Sequence, residues 1–86
     1  MNYRVIWRPP ADTIVLTNLL RAADKPALWA VVRAADRAMA TDPYNAGESR
    51  DEPGQRLAHF RPFALLVTVD DEAQTVHVEA SRWVGA

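Results

Sequence analysis

Phe63-Ala64-Leu65-Leu66-Val67-Thr68-Val69 is followed, after the polar segment Asp70-Asp71-Glu72-Ala73-Gln74, by Thr75-Val76-His77-Val78-Glu79-Ala80-Ser81-Arg82-Trp83-Val84. The first run is apolar at nearly every position and rich in β-branched residues. It therefore reads as a strand in mid-sheet with both faces mostly covered. The second run alternates. Strict period two puts Val76, Val78 and Ala80 on one face and Thr75, His77, Glu79, Ser81 and Trp83 on the other. Ahead of them, Leu57 to Phe60 has strand character too, so the second half of the chain predicts a three-stranded antiparallel meander.

The first half has a different period. Tyr3-Arg4-Val5-Ile6-Trp7 is a short β-type run stopped by Pro9-Pro10. From Ala11, the residues Val15, Leu16, Leu19, Leu20 and Ala23 recur at helical spacing, with Thr17, Asn18 and Arg21 opposite. Asp24-Lys25-Pro26 combines an N-capping aspartate with a first-turn proline and starts a second helix, from about Ala27 to Ala40. Its buried seam is Leu28, Val32, Ala35 and Met39, its outer face Arg33, Asp36, Arg37 and Ala40, and Trp29 and Trp7 read as packing residues. The short link between the helices implies an antiparallel hairpin. The sum is an α+β fold: strand, helical hairpin, meander, in two layers.

A chain of 86 residues that is 49% hydrophobic is sized for one folded domain, spanning 1–86. There is no cysteine, so neither a disulfide scaffold nor a thiolate zinc site is available. Two histidines do not close a metal site by themselves, and no cofactor is expected. No stretch approaches a membrane span and the N-terminus lacks a signal-type apolar run, so the expected compartment is the cytoplasm. The net charge of −1 is unevenly divided. Residues 1–43 hold six basic against four acidic groups, and residues 44–86 four basic against seven acidic. Any nucleic-acid role must then rest on a local cluster of arginines.

In its order of elements the chain resembles the RelE/ParE superfamily, the toxins of bacterial type II toxin–antitoxin operons. The resemblance is carried by Trp7-Arg8-Pro9 after the first strand and by Asp42-Pro43 with Gly47 after the second helix. Gly47-Glu48-Ser49-Arg50 with Arg56, and the closing hairpin from Pro62 to Val78, carry the rest. The resemblance implies a RelE/ParE-like two-layer sandwich and a cognate antitoxin that covers part of the surface. It also implies one of two activities: ribosome-associated cleavage of mRNA, or inhibition of DNA gyrase by binding. A degenerate toxin that only binds its antitoxin is the remaining alternative.

Metal-independent RNA cleavage needs a base for the 2′-OH, positive charge on the phosphorane and a proton for the leaving oxygen. The candidates for that chemistry are His59, Arg61 and Glu48. Alternation along Leu57–Arg61 sets His59 and Arg61 on one face. Arg50, Arg56, Arg82 and Trp83 are candidates for holding RNA, Trp83 by stacking on an unpaired base. His77 joins them only if it shares that face. Each has a plainer reading as well: capping or solvated pairs in the Gly47–Arg56 connector, an edge charge at Arg56, a turn at Arg61, packing at Trp83. The chain also departs from the nuclease members of the family. They tend to be lysine-rich and often end in a catalytic tyrosine, whereas this chain has one lysine, Lys25, and ends Ser81-Arg82-Trp83-Val84-Gly85-Ala86.

Overall fold

A computed structural model describes residues 2–50 and 52–85. Its elements are β1 (Arg4–Trp7), α1 (Ala11–Arg21), α2 (Lys25–Thr41), a 3-10 turn (Pro43–Asn45), β2 (Gly47–Ser49), β3 (Gln55–Phe60), β4 (Phe63–Asp70) and β5 (Thr75–Trp83). The five strands form one sheet in the order β1-β5-β4-β3-β2. β1 runs parallel to β5, and every other pairing is antiparallel. The expected meander is therefore the middle of the sheet. The helical excursion returns the chain to the far side of β3, so the first strand reaches β5 by a crossover.

The helices cover one face. Ala11 and Val15 of α1 and Leu28, Val32, Ala35 and Met39 of α2 meet Phe63, Leu65, Val67 and Val69 of β4 and Val76 and Val78 of β5. The α2 seam is the one its spacing predicts. Asp24 caps this helix by accepting from the Ala27 N–H at 3.1 Å, an interaction of about 1 kcal/mol. α1 differs from its expected stripe. Val15 is buried, but Leu16 and Leu20 are 56% and 67% exposed, because the hairpin is a single layer with nothing over its outer side. Trp29, expected to pack, is 48% exposed beside them.

Two sheet features overturn sequence expectations. First, β4 is central, but its second face is not covered by another layer. Ala64, Leu66 and Thr68 look away from the helices, and Ala64 is buried only by its strand neighbours. Second, the alternation in β5 breaks. Its register against β4 passes from Val67↔Val78 directly to Leu66↔Ala80, leaving Glu79 as a bulge. Beyond it the faces exchange. Ala80 and Arg82 join Thr75 and His77 on the open face, while Ser81 and Trp83 turn toward the helices. The Ser81 hydroxyl donates to the Ala11 carbonyl at 2.8 Å, and Trp83 meets Phe63 edge-on at 5.5 Å between centroids.

Within the charged stretch Gly47–Arg56, expected to be a connector, Gly47–Ser49 form an edge strand paired with β3. Gly47 lies in β2, where a Cβ would collide with the Leu57 carbonyl. Gly54 turns the chain with φ +78, where a Cβ would come within 2.6 Å of the Val69 carbonyl.

Candidate functional site

The pairing registers sort the candidate residues by face. Leu57 and His59 of β3 stand on the open face opposite Leu66 and Ala64, and Ala64 in turn stands opposite Arg82. The small side chain of Ala64 leaves a notch between His59 and Arg82, whose strands are two spacings apart, roughly 10 Å. Arg50 completes a groove of about 420 Å³ whose lining includes Leu57, His59, Leu66, Ala80 and Arg82. Glu48 is paired with Leu57. It therefore sits diagonally from His59 on the same face, a relation of about 7–8 Å between Cα atoms. Four of the predicted residues, Glu48, Arg50, His59 and Arg82, thus converge.

The other three do not. Strand β3 ends at Phe60, so Arg61 lies in the two-residue turn before β4 and does not share the strand alternation that paired it with His59. Trp83, offered as a stacking platform, is on the helix side through the bulge at Glu79. Arg56 also faces the helix side. Its Nη2 donates to the Gly47 carbonyl at 2.5 Å and its Nη1 to Ser49 Oγ at 3.3 Å, and the guanidinium lies 5.5 Å from the Tyr44 ring. Tyr44 and Tyr3 in turn donate to the two carboxylate oxygens of Asp71, each at 2.7 Å. These bonds tie the start of β1, the 3-10 turn and the β4–β5 turn together. The tyrosine hydroxyls hold the Asp71 carboxyl below its ordinary value. Each tyrosine is raised in turn by its own bond to Asp71, Tyr44 up to about 12. Arg56 is a fastener of the sheet edge.

His77 does share the open face, but it is displaced from His59 by two strands and about four residues along them. That separation is roughly 16 Å, too far for both imidazoles to act on one phosphodiester. Residues missed by the sequence reading are Arg4 and Arg8, which flank Ile6 and share its face, and the bulge residue Glu79. The alternation Arg4-Val5-Ile6-Trp7-Arg8 carried the signal for the first two, but only the parallel pairing of β1 with β5 aligns them with His77. The open face then carries Arg4, Arg8, Arg50 and Arg82 against Glu48, Asp70 and Glu79. This is a surplus of one positive charge in a chain of net charge −1, which leaves the remainder at −2. Among the described residues no three of His, Asp or Glu gather to hold a metal ion, and no helix is long and apolar enough to cross a membrane.

Chemically, a phosphodiester over Ala64 has a neutral or protonated imidazole on one side, a guanidinium on the other, and the Glu48 carboxylate within diagonal reach. Those groups can move two protons and stabilise a dianionic phosphorane.

No protein-family model matches the chain, and no curated protein does. Among solved structures, a chain of the toxin–antitoxin complex RelBE2 from Mycobacterium tuberculosis is similar to it with a TM-score of 0.73 and 24% identity. The match covers 96% of this chain and 99% of that one. The two-helix, five-strand architecture is the RelE-like fold.

Proposed function

We propose that this protein is the toxin of a type II toxin–antitoxin pair and that it cleaves mRNA on the ribosome without a metal ion. The fold shared with a chain of a toxin–antitoxin complex supports the first part. The observation that carries the second is the open sheet face, where Arg50, His59 and Arg82 line one groove. A polyanion is drawn to such a face even when the chain as a whole is slightly acidic. In this reading His59 and Glu48 exchange the two protons, Arg82 stabilises the phosphorane, and Arg50 grips the strand at the rim. The antitoxin covers the apolar outer side of the helical hairpin, where Leu16, Leu20 and Trp29 are exposed. Transcript 5′-end mapping after brief induction in a bacterium tests the proposal. New ends inside translated regions, absent with His59→Ala and with Arg82→Ala, are the expected result.

A second reading, inhibition of DNA gyrase by binding, draws on one observation. The groove lining holds a single histidine and no tyrosine. Growth arrest without new ends, unaffected by His59→Ala, is the outcome that selects it.

A further inference from the structure

Arg8 follows β1 and extends its parallel pairing, its N–H donating to the Val78 carbonyl at 3.0 Å. Its Nε donates to His77 Nδ1, also at 3.0 Å. A ring nitrogen that accepts carries no proton, so this bond assigns His77 as the neutral tautomer with its proton on Nε2, 3.4 Å from Thr75 Oγ1. An arginine oriented by a neutral imidazole, and not by a carboxylate, keeps its whole charge. Among the described residues only Nε of this guanidinium is engaged, so its two terminal nitrogens are available to a ligand. Arg4 stands on the same face, opposite Thr75, and is exposed. The three residues stand at the β1 end of the open face, with His77 roughly 13 Å along β5 from Arg82, Arg8 nearer and Arg4 farther, and with Asp70 opposite Thr75 on the same face.

We propose that Arg4, Arg8 and His77 form a second phosphate subsite, for the backbone of a single-stranded RNA whose reacting phosphate lies between His59 and Arg82. The inference rests on the RNA reading given above. A guanidinium presents a planar fork that matches phosphate oxygens, and its orientation is already fixed here. An edge charge that only prevents strand pairing needs no such orientation. The separation of the two subsites exceeds one nucleotide, so the corner acts on longer RNA and not on the shortest fragments. Glu79, on the bulge, is level with Arg8 across the β1–β5 pairing, and its carboxylate repels the same strand. Arg8 and Glu79 therefore act on RNA affinity in opposite directions.

The test is binding of fluorescently labelled RNA, a trinucleotide and a longer single strand, to the purified full chain over a range of salt. Wild type binds the longer RNA more tightly. Arg8→Gln weakens the longer RNA about five- to tenfold, and the trinucleotide less, with the salt slope falling by about 0.7 for each phosphate no longer neutralised. Glu79→Gln strengthens the longer RNA, a gain that a partly unfolded variant cannot produce. If Arg8→Gln lowers the unfolding midpoint, Arg4→Gln carries the same expectation without a side-chain hydrogen bond to lose. Unchanged affinity for the longer RNA in both arginine variants, while wild type binds it well, overturns the subsite and leaves the groove reading standing. Absence of any RNA binding by wild type removes both.

Discussion

The two faces of one five-stranded sheet are built on opposite plans. The helix-covered face is apolar and complete, with Phe63, Leu65, Val67, Val76 and Val78 all close to fully buried. The open face, made by the alternate residues of the same strands, is a floor of Ala64, Leu66 and Ala80 bordered by charge. Stability is concentrated on the first, and the groups able to meet a polyanion on the second. A residue's face therefore says more about its role than its type does. Arg56 and Arg82 are equal candidates by sequence, yet one fastens the sheet edge and the other walls a groove.

The largest expected contrast lies between two adjacent leucines. Leu65 is 1% exposed against the helices, and Leu66 is half-buried on the groove floor. Leu65→Ala should cost about 2–5 kcal/mol and Leu66→Ala about 1 kcal/mol or less, read by urea denaturation. Similar costs would show that the two faces are equally buried in solution and break the comparison.

Next comes the bulge. Deleting Glu79 removes the extra residue of the bulge, so simple alternation onward from Val78 keeps Ala80 and Arg82 on the open face and Ser81 and Trp83 toward the helices. The chain has no cysteine, so Arg82→Cys is a single reporter. It should react freely with a thiol reagent both in the intact chain and in the deletion variant. Slow reaction in the deletion variant would mean that Glu79 is not the extra residue of this strand.

A subtler effect belongs to the helix side. Asp71 titrates low because of its two tyrosine partners, so its bonds contribute stability above the ordinary carboxylate range. That contribution is lost as pH falls through the lowered value. Tyr44 titrates high, so its contribution is complete below the ordinary tyrosine value and disappears as pH rises through about 12. Asp71→Asn should therefore flatten both ends of the profile of unfolding temperature against pH, with RNA binding unchanged. The smallest effect is expected at Arg61, in its turn beyond the end of β3. Arg61→Ala should move stability by no more than about 0.5 kcal/mol and leave RNA affinity within error of wild type.

Much of the fold is legible in the chain itself. The α2 seam and its cap, the β4 run and the meander follow from periodicity and from Asp24 and Pro26. What is not legible depends on residues distant in sequence. Three residues of β2 are too few to carry a period, and the parallel pairing of β1 with β5 leaves no local mark. The bulge at Glu79 interrupts an alternation that looks unbroken in the sequence, and it moves Ala80, Ser81 and Trp83 to the unexpected face in one step. Leu16, Leu20 and Trp29 read as core because spacing reports a stripe and not whether a layer covers it. For the site, His59, Arg50, Glu48 and Arg82 are candidates by residue type alone. Their convergence depends on strand register, as does the separation of Arg61 and Arg56 from them.

The central claim is that the open sheet face is the surface that meets RNA. An NMR titration of isotope-labelled protein with single-stranded RNA tests it most directly, since every backbone amide reports. Perturbations clustered at His59, Ala64, Arg82 and their strand neighbours, with the outer side of α1 and α2 silent, are the predicted result. Perturbations centred on Leu16, Leu20 and Trp29, or none at saturating RNA, would contradict it.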